Sequence, residues 1–128
     1  MKFICIGYYE PALMDALPPA ELAAVMSRCR PHMANYEATG QVLVDAGLAS
    51  ESRLLQRQHG QVRVTDGPFA EAKEMVGSVL LLEAADMADA LRVAAMHPSS
   101  QVPDAERLRW RMEVRPVDYF KAADAPAG

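Results

Sequence analysis

Val64-Thr65-Asp66-Gly67-Pro68-Phe69-Ala70-Glu71-Ala72-Lys73-Glu74 is the stretch around which the rest of the chain can be ordered. A β-like run enters it, a Gly-Pro turn interrupts it, and Glu71, Lys73 and Glu74 follow the aromatic Phe69. The apolar run Val79-Leu80-Leu81-Leu82 comes soon after. Charge carried on a rigid turn between two strands is a usual location for function. Immediately upstream, residues 53–58 and 61–65 read as the arms of a hairpin closed by His59-Gly60. Glycine supplies the positive φ such a turn needs, and histidine tolerates it better than most residues.

Outward from there the pattern alternates between strand and helix. Phe3-Ile4-Cys5-Ile6-Gly7-Tyr8 is apolar on both faces, as a central strand covered on each side would be. Pro11 and Pro18-Pro19 mark a loop, and Pro19 suits a first helical position. Leu22, Val25, Met26, Cys29, Met33 and Tyr36 then recur at helical spacing until Gly40. Pro31 lies inside this pattern and predicts a kink or a split into two helices. Residues 41–49 read as a second strand centred on Val42-Leu43-Val44.

Past the central turn, 79–83 reads as a buried strand. Asp86 reads as the N-cap of a helix running to about His97, with Met87, Leu91 and Ala94 or Ala95 inward and Pro98 enforcing its end. Residues 98–107 look polar and irregular. The last strand, 108–115, alternates: Leu108, Trp110, Met112 and Val114 point one way, and Arg109, Arg111, Glu113 and Arg115 the other. Pro116 ends it. One domain, 1–117, is expected, with a loosely ordered tail over 118–128 in which Tyr119-Phe120 can dock on a surface.

The resulting order predicts an α+β fold, a ferredoxin-like sandwich in which an antiparallel sheet carries two helices on one face. The other face needs a cover, and a second copy of the chain is the usual one, so a homodimer is expected.

Composition narrows the function classes. The 128 residues are 51% hydrophobic and 23% charged, with a net charge of −4, an ordinary globular balance with no global field for nucleic acid. Cys5 and Cys29 are the two cysteines. With no Cys-x-x-Cys and no paired His spacing, neither a metal site nor a cofactor is expected, and both thiols read as small buried hydrophobes. The N-terminal apolar run is too short for a signal peptide, and none approaches the roughly 20 residues of a membrane span. A cytoplasmic protein is the expectation.

Val64 to Glu71, with Lys73-Glu74 and Gly77, resembles the signature of DGPF-domain proteins, a branch of the YCII-related family. Met112-Glu113-Val114-Arg115-Pro116-Val117 resembles that family's closing strand, and Tyr8-Tyr9 fits its opening one. The resemblance covers about residues 1–117. It implies a ferredoxin-like subunit pairing sheet to sheet, as in dimeric α+β barrels. Most members of the branch have no established activity. Some resemble partners of extracytoplasmic-function sigma factors, and enzymatic relatives are lyase-like, dehydrochlorinases among them, using a His and an Asp. Ser78 departs from the pattern, standing where a second glycine is usual, and the loop before the last strand looks long.

Two chemistries compete at the candidate residues. Asp66 reads first as a turn former capping local donors, and second as a general base at a strand end. His97 and His32 are the histidines that can join Asp66 in an acid–base pair, although a histidine at a helix C-terminus is also favoured by the dipole. Tyr8, Phe69, Glu71, Lys73, Glu74 and Arg115 are the candidate ligand contacts. Phe69 can wall a pocket or anchor its loop, and Arg115 can hold an anion bidentately or bridge to Glu71 or Glu74 across a dimer. The reading is a small homodimeric protein binding a small molecule or a protein partner in a cleft near the Asp66–Glu74 loop. Its rivals are a lyase- or hydrolase-like enzyme using an Asp/His pair and a sigma-factor accessory.

Overall fold

The computed structural model describes residues 1–68 and 72–123. Four strands form one antiparallel sheet in the order β2-β5-β1-β6: β1 is Lys2–Tyr9, β2 Val42–Gly47, β5 Met75–Glu83 and β6 Arg111–Pro116. The helix α2, Pro19–Glu37, joins β1 to β2, and α3, Met87–Ala94, leads from β5 toward β6. This is the ferredoxin-like α+β arrangement expected from the sequence, with a separate hairpin of β3 (Arg53–Gln58) and β4 (Gln61–Asp66) inserted before β5. His59 and Gly60 close the hairpin at φ 53° and 77°.

The period of two on β1 divides the sheet into its faces. Phe3 pairs with Leu82 and Cys5 with Leu80, and these four are 1% exposed or less. They form one core with Tyr36 from α2 and with Ala90, Val93 and Ala94 from α3. Both helices therefore cover the same face. Burying a leucine such as Leu80 contributes about 1.5–3 kcal/mol. On the opposite face, Val44, Leu81 and Ile4 lie in one cross-strand row, and Ala46, Val79 and Ile6 in the next. Val44 is 49% exposed there.

Several local expectations need correction. Of the kink or split expected at Pro31, the split does not occur, since α2 continues to Glu37. Pro31 and Ser27, whose carbonyl it cannot bond, are both exposed residues. The loop after β1 contains a short helix, α1, over Pro11–Asp15. Asp86 is the N-cap of α3 as expected, accepting from the Asp89 amide at 2.8 Å. The inward face of α3 is Ala90, Val93 and Ala94, while Met87 and Leu91 are 38% and 50% exposed. Small side chains let this helix sit close on the sheet.

The largest correction concerns residues 98–110. The supposed irregular segment holds two short helices, α4 (Pro98–Gln101) and α5 (Asp104–Leu108). Arg109 then takes the left-handed conformation at φ 57° and terminates α5, so Leu108 and Trp110 are not strand residues. They pack instead in a second core with Val25, Cys29, Val102 and Ala105. Asp104 fastens this layer to α2, taking two hydrogen bonds from Arg28 at 2.8 and 3.0 Å and one from Arg107 at 3.1 Å.

Beyond β6 the pairing with β1 continues for one more residue. The Val117 amide donates to Lys2 O, and the Lys2 ammonium lies 4.9 Å from the Phe120 ring centroid. Tyr119 is 78% exposed, and 124–128 lie outside the described residues. No helix among the described residues is long and apolar enough to cross a membrane.

Candidate functional site

The second core does not close completely over the sheet. Between α2, α4 and the ends of β1 and β5 lies a cleft of about 400 Å³, within the range of about 300–1,000 Å³ usual for small-molecule sites. Its floor is made by Gly7 and Ser78, which pair across β1 and β5. Here the register slips by one, with Gly77 the extra residue, and such bulges often accompany sites because they re-aim neighbouring side chains. A Cβ on Gly7 would run into the Ser78 hydroxyl, so the residue at 78 fills space that the residue at 7 leaves.

Met14 from α1 and Met26 and Met33 from α2 form one wall. Met26 and Met33, seven residues apart, share one face of the helix. Methionines make soft, adaptable surfaces for flat or irregular ligands. Trp110, the only tryptophan, is half-buried and also lines the cleft. Cys29 also lines the cleft, but its thiol pKa is raised, chiefly by burial, which leaves it protonated and a poor nucleophile.

His97 supplies the cleft's imidazole. It does not sit in the last turn of α3, as the dipole argument required, because α3 ends at Ala94. His97 is instead the N-cap of α4, where its Nδ1 accepts from the Ser99 amide at 3.1 Å and lies 2.9 Å from Ser99 Oγ. Its ring stacks on Tyr36 with centroids 5.7 Å apart, and the Tyr36 hydroxyl donates to Asp45 at 2.5 Å. Burial lowers the His97 pKa, with the Asp45 charge pulling weakly the other way, so the ring is neutral near pH 7.

Arg111 and Tyr8 form the rim. The guanidinium lies 4.7 Å from the Tyr8 ring centroid and binds Glu74 through Nε and a terminal nitrogen, the shortest contact being 2.6 Å. The polar side chains of the lining are those of His97, Ser78, Ser99, Tyr8, Tyr9 and the paired Arg111, in an otherwise apolar space.

Of the candidates named from sequence, His97 and Tyr8 line this cleft, and Glu74 reaches its rim through Arg111. Asp66 lines neither this cleft nor the second cavity. Its side chain is 89% exposed at the base of the hairpin, 3.3 Å from Arg53. His32 is half-buried on α2 and is not a cleft residue. Lys73 is exposed, and Arg115 is exposed on the open sheet face, opposite Ile4. Glu74 pairs with Arg111 of its own chain. Phe69 and Glu71 lie outside the described residues.

The reading from sequence missed the methionine wall, Ser78 as a floor residue and Trp110 as a wall. One signal was available. Leu22, Val25, Met26, Cys29, Met33 and Tyr36 make an apolar stripe broader than a single sheet contact needs. The excess faces the cleft.

A second cavity, of about 500 Å³, lies at the base of the hairpin, with Ser52, Leu54, Glu74 and Met75 among its walls. It holds no imidazole, and Pro68 and Ala72, which flank the undescribed residues 69–71, border it. The Ser52 hydroxyl is buried there without a hydrogen-bond partner among the described residues. Among the described residues no cluster of three His, Cys, Asp or Glu could hold a metal ion.

Comparison with known proteins agrees with this architecture. An uncharacterised protein of Rhizobium meliloti (strain 1021) is 26% identical over 129 residues, spanning 99% of this chain and 100% of that one. The solved 5-chloro-2-hydroxyhydroquinone dehydrochlorinase TftG of Burkholderia phenoliruptrix AC1100, in complex with 2,5-dihydroxybenzoquinone, superposes with a TM-score of 0.51 at 16% identity. That match covers 94% of this chain and 96% of the dehydrochlorinase. The model of the YCII-related domain matches residues 1–108. The chain is a member of the YCII-related family.

Proposed function

We propose that this protein binds a small, flat, oxygen-bearing ring compound in the cleft between α2 and the β1–β5 sheet ends, and does so as a homodimer. The observation that carries the reading is the lining: three methionines and an indole, with a neutral imidazole, two serine hydroxyls and a paired guanidinium among them. An apolar slot with a few convergent polar groups favours a planar ligand that buries its faces and presents oxygen at its edge. The fold-related dehydrochlorinase in complex with a dihydroxybenzoquinone makes hydroxylated quinones and phenols the first compounds to test.

The homodimer rests on the open sheet face, where Ile4, Ile6, Val44 and Val79 have no helix over them. Contiguous apolar faces of this kind are seldom left exposed in monomers. Light scattering at micromolar concentration is expected to give twice the 14.0 kDa chain mass, and a mass of one chain would contradict the pairing.

The single tryptophan makes the ligand test direct. Titration with 2,5-dihydroxybenzoquinone and with simple hydroxyphenols is expected to quench Trp110 emission saturably, whereas glucose and glycerol leave it unchanged. A linear, non-saturating response to every ring compound would contradict the reading.

A further inference from the structure

The bonding of His97 says more than that an imidazole is present. Its Nδ1 is committed as an acceptor, because the Ser99 backbone amide, which can only donate, points at it from 3.1 Å. The Ser99 hydroxyl, 2.9 Å from the same nitrogen, can rotate its own proton toward it. A neutral ring with Nδ1 accepting carries its proton on Nε2. Among the described residues Nε2 meets no protein partner, yet it is not among the buried unpartnered atoms, of which Ser52 Oγ is the one found. It therefore keeps access to space outside the protein, and the space that His97 lines is the cleft. The ring cannot turn freely to offer the other nitrogen. Tyr36, itself 1% exposed and tied to Asp45, stacks against it.

We infer that His97 is the specificity-determining residue of the cleft, donating from Nε2 to a ligand oxygen that only accepts, such as a quinone carbonyl or an ionised ring hydroxyl. This rests on the small-molecule reading of the cleft and adds the polarity of its ligand. A donor facing an apolar slot discriminates strongly, since a ligand edge with nothing to accept leaves the N–H unpaired. In the resting protein His97 is thus a hydrogen-bond donor toward the cleft and not a proton acceptor. Any proton removal there must come from another group.

Two measurements test this. Nitrogen-15 NMR of the histidine rings in the full-length protein is expected to show His97 as the Nε2–H tautomer. The Nδ1–H tautomer would overturn the proposal, whatever binds. The second measurement compares 2,5-dihydroxybenzoquinone binding, followed by Trp110 quenching, in the wild type, His97→Asn and His97→Asp. Both replacements can cap α4 through the Ser99 amide, so the fold has reason to survive. Asn keeps an N–H donor and Asp has none at neutral pH. His97→Asp is expected to weaken binding about tenfold to hundredfold, with His97→Asn losing less. Quenching in the wild type that persists undiminished in His97→Asp would overturn the role of His97 and leave the cleft reading standing. No quenching in the wild type would remove the cleft reading, and the proposal with it.

Discussion

The rings of Tyr36 and His97 lie stacked, 5.7 Å between centroids and 26° from parallel, joining the main core to the cleft. Tyr36 belongs to the sheet core through its ring and to Asp45 through its hydroxyl. A single side chain thus fixes both the packing of α2 and the plane of the imidazole.

These two roles separate by mutation. Tyr36→Phe removes the hydrogen bond to Asp45 and keeps the stack, and is expected to cost about 1–2 kcal/mol in urea denaturation while leaving quinone affinity within about threefold. Tyr36→Ala removes both, with an expected cost of about 3–5 kcal/mol and a clear loss of affinity. Equal affinities in the two variants would show that the stack does not hold the imidazole.

The cleft floor gives a second test. Gly7→Ala sets its Cβ where the Ser78 hydroxyl lies, so the hydroxyl must turn away, and the substitution is expected to destabilise by about 0.5–1.5 kcal/mol. In a Ser78→Ala background that cost should disappear, the strand then tolerating alanine at 7. A double-mutant cycle reads the coupling, and strictly additive effects would contradict this packing.

Asp104 governs the acid limb of stability. Hydrogen bonds from Arg28, and then from Arg107, hold its pKa down at about 2. A carboxylate depressed on folding contributes stability above its unfolded pKa, near 4, and that contribution is lost as pH falls toward the folded value. The Tm gap between wild type and Asp104→Asn is therefore expected to be steady above about pH 5 and to close between about pH 4 and pH 2. A gap independent of pH would contradict the ion pairs.

The strand and helix order was readable because it rests on periodicity over long segments, such as Phe3 to Tyr8 and Leu22 to Tyr36, and on local chemistry, such as Asp86 and His59-Gly60. Residues 98–110 misled for a physical reason. Helices of four and five residues show no periodicity, and Leu108 and Trp110 happen to continue the alternation of Met112 and Val114. Only a left-handed residue at Arg109, where glycine would have been the visible signal, breaks the apparent strand. At the site, His97 stood out by residue type. Its partners Tyr36, Asp45 and Ser99 are far apart in sequence or look like core and loop, and only the fold brings them together.

Asp66 separates motif from cleft. It is exposed and its partner Arg53 is also on the surface, so Asp66→Asn and Asp66→Ala are each expected to change stability by less than about 1 kcal/mol. Quinone affinity should not change with either. Binding lost on Asp66→Asn, with the fold intact, would move the site to the hairpin base.

The cleft over Gly7 and Ser78, rather than the cavity beside Ser52, is the expected seat of the ligand. A crystal structure of the protein soaked with 2,5-dihydroxybenzoquinone measures this directly. Ring density is expected beside Met33 and Trp110, with one oxygen within hydrogen-bonding distance of His97 Nε2. Density against Ser52 and Leu54 with the His97 cleft empty would contradict it.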